Sequence, residues 1–134
     1  MTGFKAGAAT VKVHFPEEMF PLPPSENFIG VHDAPNIHVV IFEGRERYVL
    51  AAYDLCDLCD KKAITALLST RLDTDPDRII IHSVHTLSSP HCRHNEEADT
   101  PGLKEKNDLM LQTILDATGE CAGKALAGLR PARA

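Results

Sequence analysis

The sequence predicts an α/β fold, a single domain over residues 1–134 with a mixed sheet of about four strands, a parallel β–α–β crossover and two main helices. Three observations predict it. "IHVVIFE" and "RYVLAAY" are short β-branched or aromatic runs joined by "EGRE", which reads as a hairpin with Gly44 in the connection. From Asp57 to Leu72 the apolar period changes to that of a helix, with Ile64, Leu67, Leu68 and Leu72 on one stripe. "RIIIHSVH" is then a nearly continuous apolar strand, which predicts burial on both faces. Strand, helix and strand in that order predict a right-handed parallel crossover from Tyr48–Tyr53 to Ile79–Val84.

The other elements follow the same logic. In "FKAGAATVKVHF", Thr10, Lys12 and His14 alternate with Val11, Val13 and Phe15, the period of a half-buried strand. "PEEMFPLPPSENFIGVHDAPN" holds five prolines and no helical period, so it reads as an ordered loop packed through Met19, Phe20, Leu22, Phe28 and Ile29. A loop of about 20 residues is uncommon in a compact domain unless it has a function. "DTDPD" ends the first helix, and "TLSSPHCRHNEEADTPG" is a second polar loop. Thr100 and Pro101 suit the cap and first turn of a last helix. That helix runs to about Leu129 on a stripe of Met110, Ile114, Ala117, Cys121 and Ala125. Gly119, Ala122 and Gly123 give it small residues for close approach to a sheet.

Composition narrows the function. With 134 residues the chain can bury a real core. Its net charge of −5 opposes an electrostatic grip on nucleic acid or acidic lipid. Trp is absent and aromatics are few, which argues against a base-stacking platform. No apolar run approaches a membrane span, and the first residues lack the pattern of a signal peptide. The expectation is a cytoplasmic protein with reduced thiols and no nucleic-acid or membrane partner.

Cys56-x-x-Cys59 falls where a strand hands over to a helix. Redox use needs a lowered thiol pKa, and Asp54, Asp57 and Asp60 oppose thiolate formation. A zinc ribbon needs a second close pair, whereas Cys92 and Cys121 stand apart. As small apolar residues on the helix stripe, both cysteines are expected to be reduced and structural. The histidines carry more information. His82 and His85 point to opposite faces of one strand, and His82 reads as a buried imidazole. His85 sits at the strand end, where ligands of open α/β sheets gather, and Asp54 ends the other parallel strand. His91 and His94 flank Cys92 in a loop, which places them at the surface.

These residues bear a family resemblance. "GVHDAPNIHVVIFEGRERYVLAAYDL" resembles the "GIHDPLYARALVL…DL" stretch of the neutral/alkaline (non-lysosomal) ceramidase superfamily. "IIIHSVHTLSSP" is similar to that family's "ATHTHSGP", "GLRPARA" to its "L.PARL", and "FKAGAATVKVHFP" to its opening "AGAAKVDITPP". The resemblance runs over nearly the whole chain, in order. It implies a zinc-dependent hydrolase of amide bonds, with His85 as a zinc ligand and His32, Asp33 and Asp54 near the site. Leu87 departs from the family's second histidine, Ser89 from its glycine and His38 from its arginine. The family's further zinc ligands belong to later sequence, and a catalytic zinc commonly has three protein ligands plus water. Here they must come from His32, His38, His91, Cys92 or His94, or from a second subunit, or the chain does without metal.

Three functions are therefore in play. In the first, zinc on His85 lowers the pKa of bound water, with Asp54 or Asp33 as general base or orienting group. In the second, a non-catalytic binding or oligomerisation module has kept the fold and lost the hydrolase chemistry. The third is a thiol protein, which the aspartates disfavour. A small-molecule ligand or substrate is expected, and self-association into a homo-oligomer, or pairing with a partner subunit, would cover an apolar face.

Overall fold

The computed structural model describes residues 3–22, 28–91 and 102–133. The elements are β1 (Lys5–Lys12), β2 (Asn36–Glu43), β3 (Arg47–Tyr53), α1 (Lys61–Leu72), β4 (Ile79–Ser83), α2 (Leu103–Ala127) and β5 (Arg130–Pro131). The strands form one mixed sheet in the order β4-β3-β2-β1-β5. β1, β2, β3 and β5 pair antiparallel, while β3 and β4 run parallel from Val49↔Ile79 to Tyr53↔Ser83. The predicted α/β class, hairpin and parallel crossover are present. The fifth strand is a two-residue pairing of Arg130 and Pro131 with Ala6 and Lys5, just beyond the last helix. Among the described residues no helix is long and apolar enough to cross a membrane.

Alternation decides which side chains meet the helices. Val11 of β1, Ile37, Val39 and Ile41 of β2, and Val49, Ala51 and Tyr53 of β3 point to one face and are buried. Against them pack Ile64, Leu68 and Leu72 of α1 and Met110, Ile114, Cys121, Ala122 and Ala125 of α2, in a single core. The predicted helix stripes are thus the core stripes. Leu67 and Ala117 lie at their half-buried margins. β1 keeps its predicted alternation too, since Thr10, Lys12 and His14 are exposed while Val11 and Val13 are buried.

Several expectations need correction. β4 is not buried on both faces, because among the described residues it is an edge strand with helices on one side only. Ile80 is therefore 61% exposed, and His82, expected to be buried, is exposed. The first helix starts at Lys61 rather than Asp57, because Asp60 is its cap and accepts from Ala63 N at 2.9 Å. Cys56 and Cys59 precede the helix instead of joining its stripe. Cys59 is disulfide-bonded rather than reduced, whereas Cys56 and Cys121 remain thiols. Alkylation of denatured, unreduced protein is expected to modify Cys56 and Cys121 but not Cys59. Labelling of Cys59 would contradict the bond.

In the long first loop, Met19 and Leu22 are buried and Leu22 bridges to Phe28, but Ile29 is exposed. Thr100 and Pro101 lie outside the described residues, and Gly102 caps α2 with φ 87. The last correction is partial and concerns the small residues of α2, of which Ala122 is fully buried in the core. Gly119 faces the Arg71 guanidinium of α1, and a side chain at Gly123 would meet nothing. The close approach of helix and sheet is made by the strand instead, at Gly7. A Cβ there would lie 2.3 Å from the carbonyl oxygen of Ala125.

Candidate functional site

The site forms where β3 ends and the chain turns toward α1. The backbone there is held from both sides. Asp54 N donates to Asn36 O at 2.9 Å on the β2 side, and Val84 N donates to Tyr53 O at 3.0 Å on the β4 side. His85 N and Thr86 N both donate to Leu55 O, at 3.1 and 3.3 Å. Ser83 Oγ donates to Cys56 O at 3.1 Å, and Ser89 Oγ accepts from Cys56 N at 2.7 Å. Every polar backbone group from Tyr53 O to Cys56 O named here is satisfied by a neighbouring segment, which fixes the rim without regular structure.

Beside this seam lies a cleft of about 400 Å³. The loop from Gly30 to Asn36 forms one wall, and Thr86, Ser88, Ser89 and Pro90 form the other, with Asp54 and Phe28 between them. Its position outside the carboxyl ends of the parallel pair is where ligands of open α/β sheets bind, and its volume suits a small molecule. Asp54 is the best-anchored charged group in it. Its Oδ2 accepts from Asn36 N at 3.2 Å and from Asn36 Nδ2 at 2.9 Å. Its Oδ1 is 3.6 Å from His38 Nε2.

The residues singled out by the sequence are distributed as follows. Asp54, His32 and Asp33 line the cleft. His32 Nδ1 is 3.0 Å from Asp33 Oδ2, and both side chains are almost fully exposed. The hydrogen bond to the Asp33 carboxylate, and then its charge, raise the His32 pKa and favour the imidazolium. His38 lies behind the cleft, on the open face of the sheet, with Nδ1 paired to Thr10 Oγ1 at 2.9 Å. His85 is at the rim, exposed, with φ 61. A non-glycine residue in this left-handed region costs on the order of 1 kcal/mol, held here by the bond from His85 N to Leu55 O. His85 is not part of the cleft wall. His91 is half-buried after Pro90, while Cys92 and His94 lie outside the described residues.

Among the described residues, no three His, Cys, Asp or Glu side chains gather as a metal-binding group. One ring nitrogen of His38 is paired with Thr10, and one ring nitrogen of His32 is committed to Asp33. The described residues alone do not fit a tetrahedral zinc site. Sequence reasoning missed Asn36, Thr10, Ser83 and Ser89. Asn36 could have been found, because antiparallel pairing of the hairpin places the start of β2 beside the end of β3. The Ser89 hydroxyl closes the turn onto Cys56 by accepting from its backbone N–H.

No protein-family model matches the chain, and no curated protein matches it.

Proposed function

We propose that the chain is a small-molecule-binding domain with its site in the rim cleft, a ceramidase-like fold that works without the zinc hydrolase chemistry. The observation that carries this reading is Asp54, a carboxylate fixed by two Asn36 donors inside a cleft at the carboxyl end of β3. Preorganised polar groups in a largely formed cleft are the usual basis of small-ligand recognition. Asp54 favours a cationic group. Asn36, Thr86 and Ser88 offer partners to hydroxyls, and Phe28, Val31 and Pro35 offer an apolar wall. A small amine bearing hydroxyl groups fits that set, and 2-amino-1,3-propanediol serves as the probe. Calorimetry is expected to show saturable binding that Asp54→Asn weakens at least tenfold, about the worth of a hydrogen bond to a charged group. Equal binding by wild type and Asp54→Asn would reject the cleft as the site.

A second reading is favoured by the same aspartate. In a zinc-dependent hydrolase of C–N bonds, Asp54 would orient or deprotonate a nucleophile, and Asp33 would share that role. His85 would be the first metal ligand, completed by His94 or a second subunit. Elemental analysis of protein purified without an affinity tag separates the two readings. Stoichiometric zinc that His85→Ala removes and His82→Ala retains would favour the hydrolase. Both readings keep a cytoplasmic location, where thiol reductants would open the Cys59 disulfide. Alkylation trapping in intact cells tests this, since a persistently oxidised Cys59 would point to an oxidising compartment.

A further inference from the structure

The face of the sheet opposite the helices carries an ordered pattern of its own. Strand register sets Ala6, Phe42 and Tyr48 in one row across β1, β2 and β3. The next row is Ala8, Val40, Leu50 and Ile80, followed by Thr10, His38, Ala52 and His82. Lys12 and Asn36 close the face, with Asp54 just past the end of β3. Phe42, Tyr48 and Ile80 remain 40, 49 and 61% exposed, although Phe42 stacks on Phe4 with ring centroids 6.2 Å apart. An apolar sheet face of this kind marks a binding surface.

Side-chain sizes and charges across the face identify its occupant. β1 presents Ala6, Ala8, Thr10 and Lys12, small residues ending in a cation. β3 presents Tyr48, Leu50, Ala52 and then Asp54, large residues shrinking toward an anion. We propose that the occupant is a second copy of this chain, packed sheet to sheet about a two-fold axis parallel to β2. That operation lays β1 of each protomer over β3 of its partner. Ala6 then faces Tyr48, Ala8 faces Leu50, and Lys12 faces the corner that holds Asp54. Val40 and Phe42 lie next to the axis, each near its own copy. Small meets large and cation meets anion in one isologous interface. Aligned sheets cross at roughly 30°, so the pairing is closest near Val40 and Leu50 and opens toward the corners. An anionic membrane is a poor alternative, since the chain carries a net charge of −5.

Sedimentation equilibrium at micromolar concentrations is expected to give twice the chain mass of 14.7 kDa. Leu50→Glu, which puts an unpaired charge in the centre of the contact, is expected to weaken the dimer by at least about 100-fold. Far-UV circular dichroism checks that this variant stays folded. Val40→Cys, a mild change next to the axis, is expected to cross-link two chains under oxidation, whereas Ala8→Cys alone is not. Exchanging the sizes, Ala8→Leu with Leu50→Ala, should restore most of what either single change loses. A monomer at all these concentrations would overturn the proposal, as would a dimer indifferent to Leu50→Glu. A dimer that Leu50→Glu weakens but Val40→Cys cannot cross-link would overturn the axis. A monomer that floats with neutral phosphatidylcholine vesicles would give the face to lipid and equally overturn it.

Discussion

Gly7→Ala is expected to destabilise the protein by about 3 kcal/mol or more, at the upper end for an added methyl group in a packed core. The cause is the absence of a flexible neighbour. The new Cβ would meet Ala125 O at 2.3 Å, Leu129 N at 3.0 Å and Leu129 Cα at 3.2 Å, all backbone atoms. The end of α2 must then lift from β1, and the short pairing of β5 with β1 is strained with it. Domains of this size are stable by only about 5–15 kcal/mol, so the loss is a large fraction. Gly123→Ala, in the same helix region, is the control. It meets nothing within 4 Å and exchanges a poor helix former for the best, which should stabilise by about 0.5–1 kcal/mol. Urea denaturation of the two variants should shift in opposite directions. A Gly7→Ala protein as stable as wild type would mean that helix and strand are not in contact there.

Truncation of Tyr53 to Ala is expected to cost about 3–5 kcal/mol, the range for removing a buried aromatic ring. Tyr53 is fully buried, and its hydroxyl donates to Thr118 Oγ1 at 3.1 Å, while Thr118 itself donates to Ile114 O at 2.7 Å. Tyr53→Phe removes only the outer bond of that relay and should cost about 1 kcal/mol. The hydroxyl also has a signature in alkali. Burial pushes its pKa up from 10.0 to about 12, against a smaller opposing effect of the Thr118 bond. Below pH 10 both folded and unfolded states keep the proton, so nothing is lost. Above it the unfolded chain releases a proton that the native state retains. Stability should therefore fall by about 2–3 kcal/mol as pH rises through 12. Tyr53→Phe should lack that decline. An unchanged alkaline profile in the Phe variant would show that the hydroxyl is not buried as described.

Much of the architecture was legible because it depends on local periodicity. The alternation in β1, the hairpin around Gly44 and the stripes of α1 and α2 each mark which face is buried. Layer number was not legible. "RIII" is as apolar as a strand covered on both sides, yet β4 is an edge strand, and Ile80 and His82 look outward from an open face. Apolar composition reports that a surface gets covered, and not whether the chain or another molecule covers it. Cys56 and Cys59 were misplaced because the helical period was extended four residues too far, past the Asp60 cap. That aspartate was visible as a capping residue, but three aspartates at Asp54, Asp57 and Asp60 gave no way to choose among them by type alone. The candidate site was half legible. Asp54, His32 and Asp33 could be placed on one rim from strand order and resemblance. Asn36 could be placed from the hairpin register, whereas Ser83 and Ser89 act through the Cys56 backbone, distant in sequence, which no local pattern reveals.

The claim at the centre of this account is that ligand recognition belongs to the rim cleft beside Asp54. The most direct measurement is a ¹H–¹⁵N correlation titration with 2-amino-1,3-propanediol. The account predicts saturable shifts at the amides of Gly30, Val31, Asn36, Asp54, Thr86 and Ser88, with the open-face amides of Leu50 and Ile80 unmoved. Shifts confined to that open face, or no shift at the rim, would contradict it.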